Sequence, residues 1–320
     1  MTKLQERLVF IIQTISFVSL ALASSVSGVY AADSMTGQAF PYEPELNSLR
    51  FIMRDKNYKV ARPLLDAHLK KKPNSSQALV YRARCYVDEN KNKEALECLH
   101  RAAKADPKNA EIYSEQANIY ALQKQYQKAV DAASLAIKYG KGFSVKHTYH
   151  LRSMMYTALG QKKKAIEDMC SYIKIDSAKP RAFMWRANAY EQDGQWDKAL
   201  ADYRTALEMS KNYEYRFHAA RVLQKQGKME QAIAEMTAII KQNPEEDEAW
   251  SKRGNLNFAM GKYKEAVRDF TEALATSFGS NDTLYRARGK AYEKLGQKDL
   301  AQKDFQKADE LLKKPTVAPI

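Results

Sequence analysis

From residue 42 onward, apolar side chains neither run continuously nor alternate. They return at three- and four-residue steps in blocks of about a dozen, the signature of amphipathic helices. The blocks come in pairs. Alanines that follow short polar or aromatic turns recur at Ala61, Ala95, Ala129, Ala165, Ala199, Ala232, Ala266 and Ala301, each 33 to 36 residues after the last. The segments around them are variants of one phrase, among them KQYQKAV, GQWDKALADY and GKYKEAVRDF. About sixteen residues before each alanine stands an aromatic residue or Leu in most repeats, with a small residue four positions on. Trp250 with Gly254 and Tyr285 with Gly289 are examples. Pro73, Pro107 and Pro244 fall twelve residues after their alanines and mark helix ends, because proline cannot continue a helix.

Numbered from the repeat start, positions 4, 7, 8 and 11 form one helical stripe, and positions 20, 24 and 27 a second stripe after a turn. Each repeat is therefore expected to be a helix pair, A then B. Small residues at 8 and 20 let the two helices approach, and aromatics at 4, 11 and 24 fill the space around the contact. An isolated pair would not hold. A handful of buried side chains gives about 1.5–3 kcal/mol each, against roughly 1–2 kcal/mol of backbone entropy for each of some thirty residues. Stacking supplies the remainder, so the expectation is an all-α solenoid with a shared core and a concave inner face.

These motifs resemble the tetratricopeptide repeat (TPR) family, whose pattern is an early Trp-type position, Leu-Gly, Tyr, then Ala, Phe and a closing Pro at a period of 34. The resemblance implies a right-handed superhelical solenoid of eight TPR helix hairpins, at 42–75, 76–109, 110–145, 146–179, 180–212, 213–246, 247–281 and 282–315, with a tail at 316–320. The departures are that the small residue is Ala or Ser as often as Gly, that Arg usually replaces the Leu before it, and that five repeats lack the Pro. The first repeat, with Glu45 at the Trp-type position, matches least well.

Arginines carry two expectations. Position 7 holds Arg82, Arg152, Arg186, Arg253 and Arg288, and in four of these repeats position 23 is Asp168, Asp202, Asp269 or Asp304. Such pairs look like helix-to-helix stitching, since a partly buried charge persists when paired. Position 9 projects toward the inner wall and reads Arg50, Arg84, Asn118, Met154, Asn188, Arg221, Asn255 and Lys290. Asparagine is a poor helix former, yet it offers a donor and an acceptor together, matching the amide of an extended peptide. In the TPR family, inner-face Asn and basic residues hold peptide backbones and carboxylates, and this row resembles that arrangement. Arg54, Tyr81, Trp185, His218, Lys225, Lys252 and Lys294 join the lining, with Glu111, Glu115 and Glu191 nearer the middle. The ligand-binding candidates are thus Arg50, Arg84, Asn118, Asn188, Arg221, Asn255, Lys290, Tyr81 and Lys252.

The 320 residues include 52 Lys and Arg against 38 Asp and Glu, a net charge of +14. This favours an acidic partner. Two readings follow: a non-enzymatic scaffold that takes an extended acidic segment or C-terminus of another protein, or a basic protein that binds anionic polymer or lipid headgroups. Lys3 and Arg7 precede an uncharged run from Leu8 to Val26, the layout of an export signal over residues 1–31, with cleavage expected before Ala32 and a linker at 32–41. The rival is an uncleaved anchor, which would associate the chain with a membrane. Removal of 1–31 leaves +13. Export to the periplasm or the extracellular space disfavours nucleic acid as the partner.

No cofactor or metal is expected. Glycines stand singly at turns, so there is no phosphate-cradling loop. His147 and His150 stand three apart with no third ligand, and surface histidines are the simpler reading. Cys85 and Cys98 are expected as two buried thiols.

Overall fold

The computed structural model describes residues 46–277 and 281–313, and the signal, linker and tail expectations lie outside them. Sixteen α-helices and one short 3-10 turn make up the secondary structure, with no strand among the described residues. The A helices are α1 (Asn47–Arg54), α3 (Ser76–Asp88), α5 (Ala110–Leu122), α7 (Lys146–Ala158), α9 (Pro180–Gln192), α11 (Glu214–Lys225), α13 (Asp247–Ala259) and α15 (Asp282–Lys294). Their B partners are α2 (Tyr58–Lys71), α4 (Asn92–Ala105), α6 (Tyr126–Tyr139), α8 (Lys162–Ile175), α10 (Trp196–Ser210), α12 (Met229–Gln242), α14 (Tyr263–Thr276) and α16 (Lys298–Lys313). From the second repeat on, A helices start at or within one residue of the expected repeat starts.

Local chemistry sets these ends. The Ser75 and Asn109 side chains accept from the backbone N–H of Ala78 and Glu111 and so cap α3 and α5. Pro180 opens α9, where its missing N–H costs nothing. Each A helix closes with a left-handed residue whose N–H bonds three residues back, and in most repeats the next N–H reaches five back, as in Asn90 to Val87 and Lys91 to Tyr86. That left-handed residue is Lys56, Asn90 or Lys124 in the first three repeats and glycine in the other five.

Every position-20 alanine is buried, from Ala61 to Ala301. Bulk at position 24 is matched by smallness at position 8. A Cβ on Gly254 would stand 2.7 Å from the Phe270 ring, and one on Gly289 2.7 Å from Phe305. Where position 24 is Leu99, Met169 or Met236, Ala83, Ser153 or Ala220 fits at position 8.

Packing divides the chain into an N-terminal unit, through Ala178, and a C-terminal unit, from Lys179. In the N-terminal unit, α3, α5 and α7 touch in sequence, and each B helix packs on the following A helix. The same holds for α13 and α15 in the C-terminal unit. No B helix packs comparably on the next B helix among the described residues, so each unit bends toward its A layer.

The expected stitching is present and extends further than the sequence suggested. Arg152 grips Asp168 with Nε at 2.9 Å and Nη2 at 2.7 Å, and Arg186 grips Asp202 at 2.7 Å through both nitrogens. Arg253 with Asp269 and Arg288 with Asp304 repeat the fork. In Arg152, Arg253 and Arg288 the remaining nitrogen reaches back one repeat, to Ser134, Thr237 and Thr271 at position 25. Arg82 lacks an aspartate at position 23, where Cys98 stands, and pairs instead with Asp66, position 25 of the first repeat, at 3.0 Å. In the sixth repeat Arg216 and Glu235 substitute at 2.7 Å. These forks sit beside ring faces. Arg253, for example, lies 4.8 Å from the centre of Trp250.

Cys85 and Cys98 are both buried thiols in different hydrophobic clusters. Burial pushes the Cys85 thiol up to about 11.

Candidate functional site

The A layers of the two units carry the position-9 row, and the units treat it differently. In the N-terminal unit, Arg84 is buried on α3 and donates from Nε to Glu115 at 2.9 Å and from Nη2 to Glu111 at 2.7 Å. Both acceptors come from α5, one repeat on. Tyr81 and Asn118 are buried beside this network. Next along, the Ser114 and Thr148 hydroxyls lie 3.1 Å apart, and buried Lys146 donates to buried Asp176 at 2.7 Å under the Phe143 ring. His150, expected at the surface, is instead a core residue set edge-on to Tyr172. Burial first, then neighbouring His147, brings its imidazole down to about 3. It is therefore neutral at physiological pH. Among the described residues no group of three His, Cys, Asp or Glu side chains is placed to hold a metal.

In the C-terminal unit the network is smaller and the face more open. Tyr203, rising from α10, is fully buried, and its hydroxyl lies 2.5 Å from Asn188 Oδ1 and 2.8 Å from Glu191 Oε2. A phenol has one proton to give. The hydroxyl therefore donates to one of these two acceptors at a time. Arg221 on α11 holds the same carboxylate through Nη2 at 2.6 Å and Nε at 3.2 Å. His218 stacks on the Tyr203 ring, with centroids 5.1 Å apart and planes within 11°. Burial and then Arg221 lower its pKa, so it stands uncharged beside the guanidinium.

Beyond this cluster Lys252, Asn255 and Lys290 are exposed on the next two A helices. Lys252 has only the exposed Glu248 carboxylate at 3.2 Å and lies 5.8 Å from the Phe217 ring centre. Trp185 and Phe217 are half-buried on α9 and α11.

The row read from the sequence thus divides. Arg50, Asn255, Lys290 and Lys252 are exposed. Arg84, Asn118 and Tyr81 are buried, and Asn188 and Arg221 are tied together through Glu191 and Tyr203. Arg84 and Arg221 were expected to meet carboxylates of a ligand. Each meets one of its own chain, because position 9 of one repeat stacks against glutamates of a neighbouring repeat. Tyr203 escaped the sequence reading. Its signal was a phenol at position 24, where the other repeats carry apolar residues and a buried hydroxyl must find a partner.

Family models described as tetratricopeptide repeat match residues 53–119 and 174–256, 247–277, and 147–179 and 283–311. The chain belongs to the tetratricopeptide repeat family. TPR proteins are generally scaffolds that bind protein or peptide partners. Tetratricopeptide repeat protein 6 of Homo sapiens is 27% identical over 173 residues, 53% of this chain and 33% of its own length. Tetratricopeptide repeat protein 37 of Xenopus laevis is 26% identical over 197 residues, 59% of this chain and 12% of its own. The chain spans a third or less of these curated relatives. Among solved structures, a tetratricopeptide repeat protein of Parabacteroides merdae matches with TM-score 0.52 at 24% identity, covering 76% of this chain and 94% of that one. Pseudomonas aeruginosa pilF matches with TM-score 0.52 at 15% identity, covering 63% and 91%. Both are similar to this TPR chain in fold.

Proposed function

We propose that the A layer of the C-terminal unit binds an extended segment of another protein, one that carries acidic side chains or ends in a free carboxylate. The observation that carries this reading is that Lys252, Asn255 and Lys290 stand exposed on consecutive A helices, with Lys252 5.8 Å from the ring centre of half-buried Phe217 and half-buried Trp185 on α9 of the same unit. The lysines meet carboxylates, Asn255 offers a donor and an acceptor to a backbone amide, and the rings supply apolar anchors. Glu191, on the same helix as Trp185, is already engaged by Tyr203 and Arg221. Such a groove loses affinity as salt rises without losing all binding, since exposed pairs are screened beyond about 8 Å at physiological salt. The test is a pull-down by residues 32–320 beside the variant Lys252→Glu/Asn255→Ala/Lys290→Glu, with Arg84→Gln as a variant outside the groove. Partners captured by the parent and Arg84→Gln but lost by the triple variant support the reading. Equal capture by all three removes it.

A second reading is favoured by one asymmetry of charge. Residues 46–178 hold 25 Lys and Arg against 13 Asp and Glu, a net +12, whereas residues 179–320 hold 25 against 21, a net +4. The N-terminal unit would then be drawn to an anionic surface. Export to the periplasm or extracellular space, supported by the layout of residues 1–31, belongs to the same proposal.

A further inference from the structure

Nine large apolar side chains are exposed among the described residues, and three of them fall in the first repeat: Phe51 at 58%, Val60 at 47% and Leu64 at 46%. The other six are scattered, with no two on one face of one helix at adjacent turns. On α2, Val60, Pro63, Leu64 and Ala67 follow helical spacing and are all exposed, forming one apolar stripe. The same positions, 19, 22, 23 and 26, read Glu94, Glu97, Cys98 and Arg101 in the second repeat and Glu265, Arg268, Asp269 and Glu272 in the seventh. Only the first repeat makes this face apolar throughout. Position 10 points the same way. In every later repeat it is buried, as at Cys85, Ile119 and Met155, whereas in the first it is the exposed Phe51.

The far end of the fold is finished differently. Positions 21 and 28, which are apolar in the second to seventh repeats (Leu96 and Ala103, Val130 and Ile137, through Val267 and Leu274), become exposed Gln302 and Asp309 in the last. A polar outer face is how a terminal repeat stays soluble. At these positions the last repeat is polar, and its exposed Leu300 and Leu312 stand twelve residues apart, whereas the first repeat exposes a contiguous apolar stripe.

What covers the first repeat is indicated by its flanks. Lys59, Lys70, Lys71 and Lys72 are exposed beside the stripe on α2, and Arg50 and Arg54 are exposed on α1 with Phe51. An apolar stripe edged by basic residues is the composition of a helix lying in the headgroup region of an anionic membrane. A soluble polyanion would be attracted by the lysines but would gain nothing from Val60 and Leu64. A second copy of the same face would set these lysines against one another.

We propose that the first repeat is a membrane-surface element, with Phe51, Val60 and Leu64 entering the interface of an anionic bilayer while the flanking lysines meet lipid phosphates. This deepens the anionic-surface reading and rests on it. The experiment is vesicle sedimentation of residues 32–320, which carry every described helix, with phosphatidylcholine vesicles and with vesicles containing phosphatidylglycerol. The parent is compared with Phe51→Ser/Leu64→Gln, after circular dichroism and light scattering of both.

The expected result is a monomer that binds the anionic vesicles selectively and loses at least tenfold in affinity in the double variant at unchanged helicity. If the variant loses helicity, Leu64→Lys, which adds a cation while removing the apolar group, serves in its place with the same loss expected. Anionic binding that survives the loss of the stripe overturns the insertion but leaves the charge reading intact. No binding to either vesicle overturns both. A dimer that the double variant dissociates assigns the stripe to a second copy and overturns the proposal.

Discussion

The two units are built from one repeat and finish its inner layer in different ways. In the N-terminal unit the polar side chains of the A helices are satisfied within the unit: Arg84 with two glutamates and Ser114 with Thr148 on neighbouring A helices, and Lys146 with Asp176 at the end of α8. In the C-terminal unit one network, around Tyr203 and Glu191, uses up a single carboxylate, and the lysines and asparagine of the next two A helices remain exposed. A position that carries Arg in both units is therefore a buried structural ion in one and a half-exposed one in the other. Position in the repeat fixes where a side chain projects; the neighbouring repeat decides whether it stays available. Net positive charge follows the opposite trend: each unit holds 25 Lys and Arg, but the unit with the closed layer has fewer carboxylates and so the larger net charge.

The comparison assumes first that the arginine forks are equivalent in both units. Asp168→Ala and Asp202→Ala should each lose about 3–5 kcal/mol, because each leaves a partly buried guanidinium without its carboxylate. Urea unfolding followed by circular dichroism measures both. A loss in only one would show that the two units are not held by the same device.

The contrast at position 9 is sharper. Arg84→Ala strands buried Glu115 and Glu111 and should cost about 3 kcal/mol, while Arg221, whose side chain is 48% exposed, should cost under about 1 kcal/mol in the same assay. Equal losses would erase the distinction between a closed and an open layer.

Acid should act through the closed layer. His150 is held near 3 in the folded chain and titrates near 6.5 when unfolded, so below pH 6.5 the unfolded state binds the extra proton. Stability should fall by roughly 1.4 kcal/mol per pH unit, or about 2 kcal/mol between pH 6.5 and 5. His150→Leu should flatten that limb of the pH profile. A profile identical to the parent would separate the acid response from this residue.

The smallest effect lies at the turns. Lys124 has φ +58, where glycine is unstrained. Lys124→Gly should therefore raise stability by about 0.5–1 kcal/mol, and Gly227→Ala, at φ +75, should lower it by a similar amount. Thermal midpoints of the two variants moving in the same direction would contradict this account of the turns.

Much of the architecture was legible from single positions. From the second repeat on, the alanines at 20 and the proline stops located the A helices to within a residue, because each acts through its own backbone or its own packing partner. The arginine at 7 and aspartate at 23 were legible because both partners lie within one repeat. What escaped depends on the offset between repeats. Arg84 reaches residues 27 and 31 positions ahead, and Arg221 reaches one 30 behind. A period of 34 does not disclose which positions of adjacent repeats meet. His150 escaped for a related reason: the tyrosine that encloses it belongs to the second helix of its repeat.

The third nitrogen of three forked arginines, Arg152, Arg253 and Arg288, has an evolutionary corollary. It bonds to a hydroxyl in the preceding repeat, so donor and acceptor lie in different copies of the same module. A tandem duplication would copy both halves of that bond and create a correctly mated junction at once. Deleting one module would join the hydroxyl of one copy to the arginine of another and lose nothing. Among repeats that carry both halves of the bond, gene length can then drift by whole repeats without the junction having to be reinvented.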